Sequence, residues 1–454
     1  MLKFYRLRPS HITIISFAVL IALGTILFSL PISSKKGYLS FSDSLFMATS
    51  AVCVTGLTVA DTGKDLTTFG QIILLMLVQL GGLGIMTFST IFIYMLRGHI
   101  STHGRLILQG AFSYTGRDIY SLLKHIFFFT ILIEGIGAAA LYLRLHFEYT
   151  AGTALYMSIF HSITAFCNAG FSLFSGNFIK YQGDITINFI IISLIIAGGL
   201  GFFTLHEIKN LFYSGSKGSL NKRQLSLHTK MALIVTAILL LTGSIIFFAL
   251  EKNNSLKGLS FGEQLLCSIF QSVAARTAGF NTVNFASLTN ATLFIIILLM
   301  FIGASPGSTG GGIKTTTLGV LFAIIKSRSY AREDVSIFNR TIPLEVASRS
   351  IAIASISFAI VTIFTILLTI TELYNIPHQE SRGSFIEIMF EVVSAFGTVG
   401  LSAGITERLT EIGKILICMV MFIGRLGPLT IAMAVSREEA KGKFKYSEEN
   451  LMVG

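Results

Sequence analysis

The chain has no tryptophan, and charged residues make up only 13% of its 454 positions. A soluble domain carries about 25% charged residues, and here 52% of the chain is hydrophobic, with a mean hydropathy of +0.74. That balance excludes an ordinary soluble protein and points to a polytopic membrane protein. Any aromatic belt must come from the 39 Phe and 13 Tyr. Cysteine is sparse. Cys53, Cys167, Cys267 and Cys418 are scattered through apolar surroundings, which is neither a disulfide framework nor a metal cluster, and they read as small packing residues. No cleavable leader is expected, because the apolar run after the basic stretch Met1–Ser10 is long enough to span and lacks a small-x-small site. No convergent acid, base and nucleophile set is visible, which argues against an enzyme. His206-Glu207 lacks the second His of a zinc-protease helix, and no Gly-x-Gly-x-x-Gly fingerprint is present, so no metal site or organic cofactor is expected in this chain.

Charge is present where topology needs it. With a cytoplasmic N-terminus and eight crossings, the cytoplasmic side holds 21 Lys/Arg against 9 Asp/Glu, and the outer side 10 against 13. Every unit then obeys the positive-inside rule, with both termini cytoplasmic. The net charge of +11 is explained by topology; a basic face that docks a partner is the sharper reading, and nothing suggests nucleic acid.

One short pattern occurs four times: Ser50-Ala-Val-Cys-Val-Thr-Gly56-Leu-Thr, Thr164-Ala-Phe-Cys-Asn-Ala-Gly170-Phe-Ser, Val273-Ala-Ala-Arg-Thr-Ala-Gly279-Phe-Asn and Ser394-Ala-Phe-Gly-Thr-Val-Gly400-Leu-Ser. The glycines lie 114, 109 and 121 residues apart, a near-regular period. Each loop follows an apolar segment too short to cross a bilayer, which needs about 20 residues. These short helices are expected over 41–50, 152–165, 261–274 and 384–395, the first capped by Ser40, Ser42 or Asp43. Full crossings are expected before them (11–33, 125–145, 231–250, 350–371) and after them (69–97, 185–212, 291–325, 412–435). The expected fold is an all-α polytopic membrane protein of four helix–pore-loop–helix repeats around one central ion pore. The repeats cover residues 11–101, 120–215, 228–328 and 346–436, followed by a cytoplasmic tail over 437–454.

Non-helical backbone at membrane depth is tolerated only when buried in protein or lining a wet cavity, so four such loops imply one shared cavity. A dehydrated monovalent cation needs a ring of oxygens, and backbone carbonyls supply one without charge. Glycine supplies the unusual dihedrals that aim several carbonyls at one axis, and the negative C-terminal ends of the short helices favour a cation. The candidate filter residues are Val54, Thr55 and Gly56; Asn168, Ala169 and Gly170; Thr277, Ala278 and Gly279; and Thr398, Val399 and Gly400. Asp and Glu are absent from all four loops, which argues against divalent selectivity. Taken singly, each glycine could equally serve close helix packing.

The second crossing of each unit carries a break: Gly81-Gly-Leu-Gly, Gly198-Gly-Leu-Gly, Gly424-Arg-Leu-Gly, and in the third unit the expanded Gly303-Ala-Ser-Pro-Gly-Ser-Thr-Gly-Gly-Gly-Ile-Lys-Thr-Thr317. Glycines inside helices cost about 1 kcal/mol each, so the third helix must break at mid-span. Its candidate gate residues are Gly303, Pro306, Gly307, Ser308, Thr309, Gly310, Gly311, Gly312 and Lys314. Ile313 separates Gly312 from Lys314, so this is not a phosphate loop. Arg425 is an intramembrane charge, expensive at that depth; it would repel cations or anchor the 303–317 loop through its carbonyls, or be a carbonyl-satisfied structural arginine. Lys314 is expected at the cytoplasmic mouth, Arg276 behind the third loop as a brace, and Glu134 paired with a basic group between helices, with a bound coupling ion as the alternative.

With these motifs in register, essentially the whole chain resembles the Trk/Ktr/HKT superfamily of potassium transporters. Its first crossing begins near residue 11 with no preceding helix pair, which is similar to the membrane subunits of bacterial Ktr systems. The resemblance implies that Gly56, Gly170, Gly279 and Gly400 are filter glycines, that 303–317 is an intramembrane gating loop, and that Arg425 is its electrostatic partner. It further implies potassium uptake stimulated by sodium, a homodimer in the lipid bilayer of a bacterial plasma membrane, and a cytoplasmic ring of nucleotide-binding regulatory subunits. A sodium-permeable homologue and a secondary transporter for an anionic solute remain as alternatives.

Overall fold

The structure, a computed structural model, describes residues 9–84, 119–214 and 225–435. Residues 85–118, which include the end of the expected 69–97 crossing, residues 215–224 between the second and third repeats, and the 437–454 tail lie outside the described residues. Among the described residues the regular elements are helices apart from one hairpin of two-residue strands, and the element order repeats.

In the first unit, α1 (Pro9–Phe28) is followed by the short α2 (Phe41–Val52) and by α3 (Thr68–Leu83). The second has α4 (Ile119–Leu145), α5 (Ala151–Phe166), α6 (Ile185–Leu200) and α7 (Phe202–Ser214). The third has α8 (Leu227–Glu251), α9 (Phe261–Ala274), α10 (Asn290–Phe301) and α11 (Thr315–Ser329). The fourth has α12 (Leu344–Glu372), α13 (Ser384–Gly397), α14 (Glu411–Leu426) and α15 (Pro428–Val435). The first helix of each unit is long and apolar enough to cross a membrane: His11–Phe28, Ile126–Leu145, Leu227–Glu251 and Leu344–Glu372. Their Leu, Ile and Phe side chains are largely exposed, Ile26, Leu241 and Phe358 among them, as a lipid-facing surface requires.

The four short helices are sequestered. Phe46, Phe160, Phe270 and Phe390, each nine or ten residues before a loop glycine, are all fully buried. Two of these helices start on serine caps. The Asp43 N–H donates to Ser40 Oγ (3.1 Å), and Ser260 forms a reciprocal capping box with Glu263. The helices after the loops start on Thr67, Asp184, Thr289 and Thr410, whose side chains accept from backbone N–H groups three residues on. Each post-loop helix packs on the short helix of the next unit: α3 on α5, α6 on α9, α10 on α13, and α14 back on α2. The Lys414–Asp43 ion pair (2.7 Å) fastens that last joint. The units therefore form a closed ring in chain order.

The first crossing ends at Phe28, short of the expected residue 33, and Pro31–Ser33 is a separate 3-10 turn. The second crossings break where the repeated glycines stand: α6 and α7 meet at 101° across Gly201, and α14 ends at Gly427 before α15. The charged stretch 326–349 is ordered. It holds strands β1 (Ser336–Ile337) and β2 (Arg340–Thr341), whose flanking Val335 and Ile342 pack with Met231, Val320 and Ala323.

Candidate functional site

The repeated loops meet on one axis. Each unit adopts left-handed backbone two residues before its glycine, at Val54 (φ 57°), Asn168 (57°), Thr277 (68°) and Thr398 (50°), and again at Gly56 (92°), Gly170 (71°), Gly279 (73°) and Gly400 (89°). For a residue with a side chain this costs about 1–2 kcal/mol, and it persists only where the surroundings dictate it. The four-fold recurrence shows that loop geometry, not local preference, sets these angles. The inner flank is tied to the preceding helix end: the Thr55, Ala169 and Val399 N–H groups donate to the Ser50, Thr164 and Ser394 carbonyls (2.8 Å each). The hydroxyls of Ser50 and Ser394 accept from the Gly56 (3.0 Å) and Gly400 (3.1 Å) N–H groups.

A side chain has no room at any of the four glycines. A Cβ on Gly56 would strike the Ala169 carbonyl, and one on Gly170 would lie 2.9 Å from the Ala278 oxygen. One on Gly279 would lie 2.6 Å from the Val399 oxygen, and one on Gly400 would strike the Thr55 carbonyl. Each glycine thus faces the carbonyl that precedes the next unit's glycine, and the fourth closes on the first. On the far side of this ring from the helix ends lies a cavity of about 450 Å³, floored by the four glycines, with Asp61 and Glu407 among its walls.

The break segment 302–314 sits against the inner side of the same loops. Gly311 N–H donates to Thr398 Oγ1 (3.0 Å), and a Cβ on Gly310 would strike Thr277 Oγ1. The segment is held from several directions. Thr309 and Ser305 N–H groups donate to the Gly198 (3.3 Å) and Gly199 (3.0 Å) carbonyls, and Phe202 N–H to that of Gly307 (3.0 Å). Thr309 Oγ1 donates to the Phe166 carbonyl (3.3 Å). Gly303 N–H donates to the Ile313 carbonyl (2.9 Å), pinching the segment at its base. Pro306, Gly307 and Ser308 form its half-buried tip, while Thr309 to Gly311 are buried. The half-buried Arg425 donates to the Thr309 carbonyl and to those of Gly81 and Gly82, bridging the break segment to α3. Lys314 Nζ donates to the Gly310 carbonyl (2.7 Å), so it closes the segment on itself. Arg276 Nη2 donates to the Gly303 carbonyl (3.4 Å), bracing the break segment rather than its own loop. The crossing-helix glycines allow this close assembly: a Cβ on Gly81, Gly198 or Gly424 would strike the carbonyl of Val52, Phe166 or Phe396 at a short-helix end.

Glu134 departs from expectation. Both its oxygens accept from the Gln79 amide (3.1 and 3.2 Å), and among the described residues it forms no ion pair. Its position in α4 faces α3 and α5, where Ser162 Oγ donates to its backbone carbonyl (2.7 Å); the partner that helix packing offers is an amide. Cys167 lies beside this pair, 3.4 Å from Gln79 Oε1, and all four cysteines are free and buried. Sequence reading passed over the hydroxyls of Ser50 and Ser394; their signal was a fixed place six residues before the loop glycine.

Fold and site together define an all-α integral membrane protein with four loops closed around one axis. The family model of the TrkH cation transport proteins matches residues 4–446, and the chain belongs to that family. It is 39% identical to the Ktr system potassium uptake protein B of Bacillus subtilis (strain 168), over 100% of this chain and 98% of that protein. It is 37% identical to the potassium/sodium uptake protein NtpJ of Enterococcus hirae, over 99% of this chain and 98% of that one. The crystal structure of the potassium transporter TrkH from Vibrio parahaemolyticus shares the fold, with a TM-score of 0.75 over 96% of this chain and 86% of that chain at 19% identity.

Proposed function

We propose that this chain is the potassium-translocating membrane subunit of a bacterial uptake system of the Ktr type. The observation that carries the reading is the closed glycine ring, in which each loop's glycine is packed against the next loop's carbonyl. Such a ring presents uncharged oxygens to a dehydrated monovalent cation, and the C-terminal ends of α2, α5, α9 and α13 add a favourable potential. Residues 54–56, 168–170, 277–279 and 398–400 act as the filter. The 450 Å³ cavity is the outer vestibule, where Asp61 and Glu407 raise the local cation concentration. The break segment closes the inner side, and its withdrawal opens the path. Arg425 holds it shut through the Thr309 carbonyl and places a positive charge beneath the filter.

The four units are repeats arranged around this pore, with both termini cytoplasmic, and the pore sits in a homodimer. A cytoplasmic ring of nucleotide-binding regulatory subunits governs the gate, and sodium stimulates uptake; the names of the relatives support this multi-component reading. The test is rubidium and sodium flux into liposomes that contain the purified chain. Rubidium uptake blocked by potassium and not by sodium is expected, with or without an added regulatory ring. Equal rubidium and sodium flux would replace the reading with a sodium-permeable one, which the potassium/sodium name of the Enterococcus relative keeps in view.

A further inference from the structure

The outer flank of the loops is held by a device that recurs at fixed spacing. His161 on α5, Gln271 on α9 and Glu391 on α13 lie eight or nine residues before their loop glycines, and all three are at most 1% exposed. Each reaches a hydroxyl eleven residues later, just beyond the glycine. His161 Nε2 is 3.1 Å from Ser172 Oγ and also accepts from the Leu173 N–H (3.2 Å). Its Nδ1 is 2.8 Å from the Met157 carbonyl, so the ring carries its proton on Nδ1. Gln271 Nε2 donates to Thr282 Oγ1 (3.1 Å). Glu391 accepts from Ser402 Oγ (3.0 Å) and from Thr406 Oγ1. In the first unit the same position is Met47, eleven residues before Thr58, and no such bond is possible. There the outer segment is tied to α3 instead, where Gln71 Nε2 donates to the Thr62 carbonyl (2.9 Å).

An imidazole, an amide and a carboxylate share little except polarity, yet they occupy one place and do one job. Burying a polar group without a partner is costly, so packing alone would favour an apolar residue there, as Met47 shows. We propose that His161, Gln271 and Glu391 are positioning residues of the filter. Each pins the segment after the glycine to its own short helix, so the left-handed backbone is fixed from both sides and its carbonyls keep their aim. Without the pin the post-glycine segment relaxes, the ring loosens, and sodium competes better.

The inference rests on the filter reading, and one flux experiment separates the two. Rubidium and sodium flux are measured in liposomes for the full chain and for Gln271→Leu, Glu391→Leu, Glu391→Gln and Met47→Leu. Losing the one buried hydrogen bond of Gln271, or the two of Glu391, is expected to lower the rubidium-to-sodium ratio about fivefold or more in the two polar-to-Leu variants. Glu391→Gln keeps an acceptor for the hydroxyls and stays within about twofold, as does the volume-conserving Met47→Leu. Should the Leu variants fail to fold, Thr282→Val removes the Gln271 bond from the loop side, and Ser402→Ala combined with Thr406→Val removes both Glu391 bonds; these are read by the same ratio. An unchanged ratio in folded variants overturns the positioning role, whereas an unmodified chain with no rubidium preference overturns the filter itself.

Discussion

Replacing Gly400 by serine tests the ring at its closing joint. Gly400 has a φ of 89°, and its new Cβ would strike the Thr55 carbonyl and stand 3.0 Å from Gly56 Cα. The dihedral alone costs about 1–2 kcal/mol. Backbone atoms cannot swing away as a side-chain tip can, so the collision is relieved only by moving Thr55, a residue of the other end of the chain. Ion selection should therefore suffer at the first loop although the substitution is in the fourth. A loss of about 1.4 kcal/mol in preference is a tenfold change, so the rubidium-to-sodium flux ratio should fall at least about tenfold. Gly56→Ser, which shares this contact, should add less than its own full effect when combined with Gly400→Ser, whereas Gly170→Ser should add nearly all of its effect. The assay is paired isotope flux in liposomes, with melting of the detergent-purified variants as the check on folding. A ratio within about twofold of the original, in a variant that melts normally, would refute the ring as the selecting element.

Arg425→Gln removes a cation whose charge-assisted bonds reach the Thr309 and Gly81 carbonyls. Such bonds contribute about 1.5–3 kcal/mol each, and flux without any regulatory partner should rise about tenfold or more; unchanged flux would remove Arg425 from the gate. Deleting within Gly307–Gly312 should raise basal flux in the same way, because the Gly311–Thr398 bond cannot form on a shorter segment. Glu148, beyond the end of α4, accepts from Lys180 Nζ (2.9 Å) and Tyr181 (3.0 Å), and the Lys180 bond foremost holds its carboxyl below the usual range. Its contribution is therefore present above the unfolded carboxylate pKa of about 4.3 and is lost as pH falls through the lower folded value. The melting difference between the original chain and Glu148→Gln, about 0.2–1 kcal/mol for so exposed a pair, should hold above about pH 4.3 and shrink toward zero as the pH falls further.

The architecture was legible in the sequence because membrane thickness is a fixed ruler. Segments of about ten apolar residues cannot cross, so 41–50 and 261–274 declared themselves as short helices ending in a loop. The four glycines were legible because they recur, and the ring explains why no other residue fits there. What stayed hidden depends on three-dimensional neighbours. That Arg276 would reach Gly303 rather than its own loop follows from the pinch at Ile313, which no local pattern encodes. That Glu134 would meet Gln79 depends on a contact across 55 residues of chain. The hairpin at 336–341 was masked by charge, since only Val335, Ile337 and Ile342 of this stretch pack on the cluster around Met231. The outer pins were missed for a different reason: His161, Gln271 and Glu391 have nothing in common as residue types, and only their spacing from the glycines relates them.

The ring also sets an order on how the protein is made. Its closing contact joins Gly400 to Thr55, and the latch beside it joins Lys414 to Asp43 across 371 residues of chain. Translation at about 5–20 residues per second leaves the first loop without its last neighbour for roughly 20–70 s after Gly56 emerges. During that interval the strained backbone at Val54 and Gly56 has only one of its two flanking loops to dictate it, and Asp43 stands at a helix start without its lysine. The first unit must wait in the bilayer half-assembled, and completion arrives only with the last crossing. A chain truncated before α13 would carry three-quarters of the ring and none of its closure, an open cation-attracting cleft that the cell would do well to destroy.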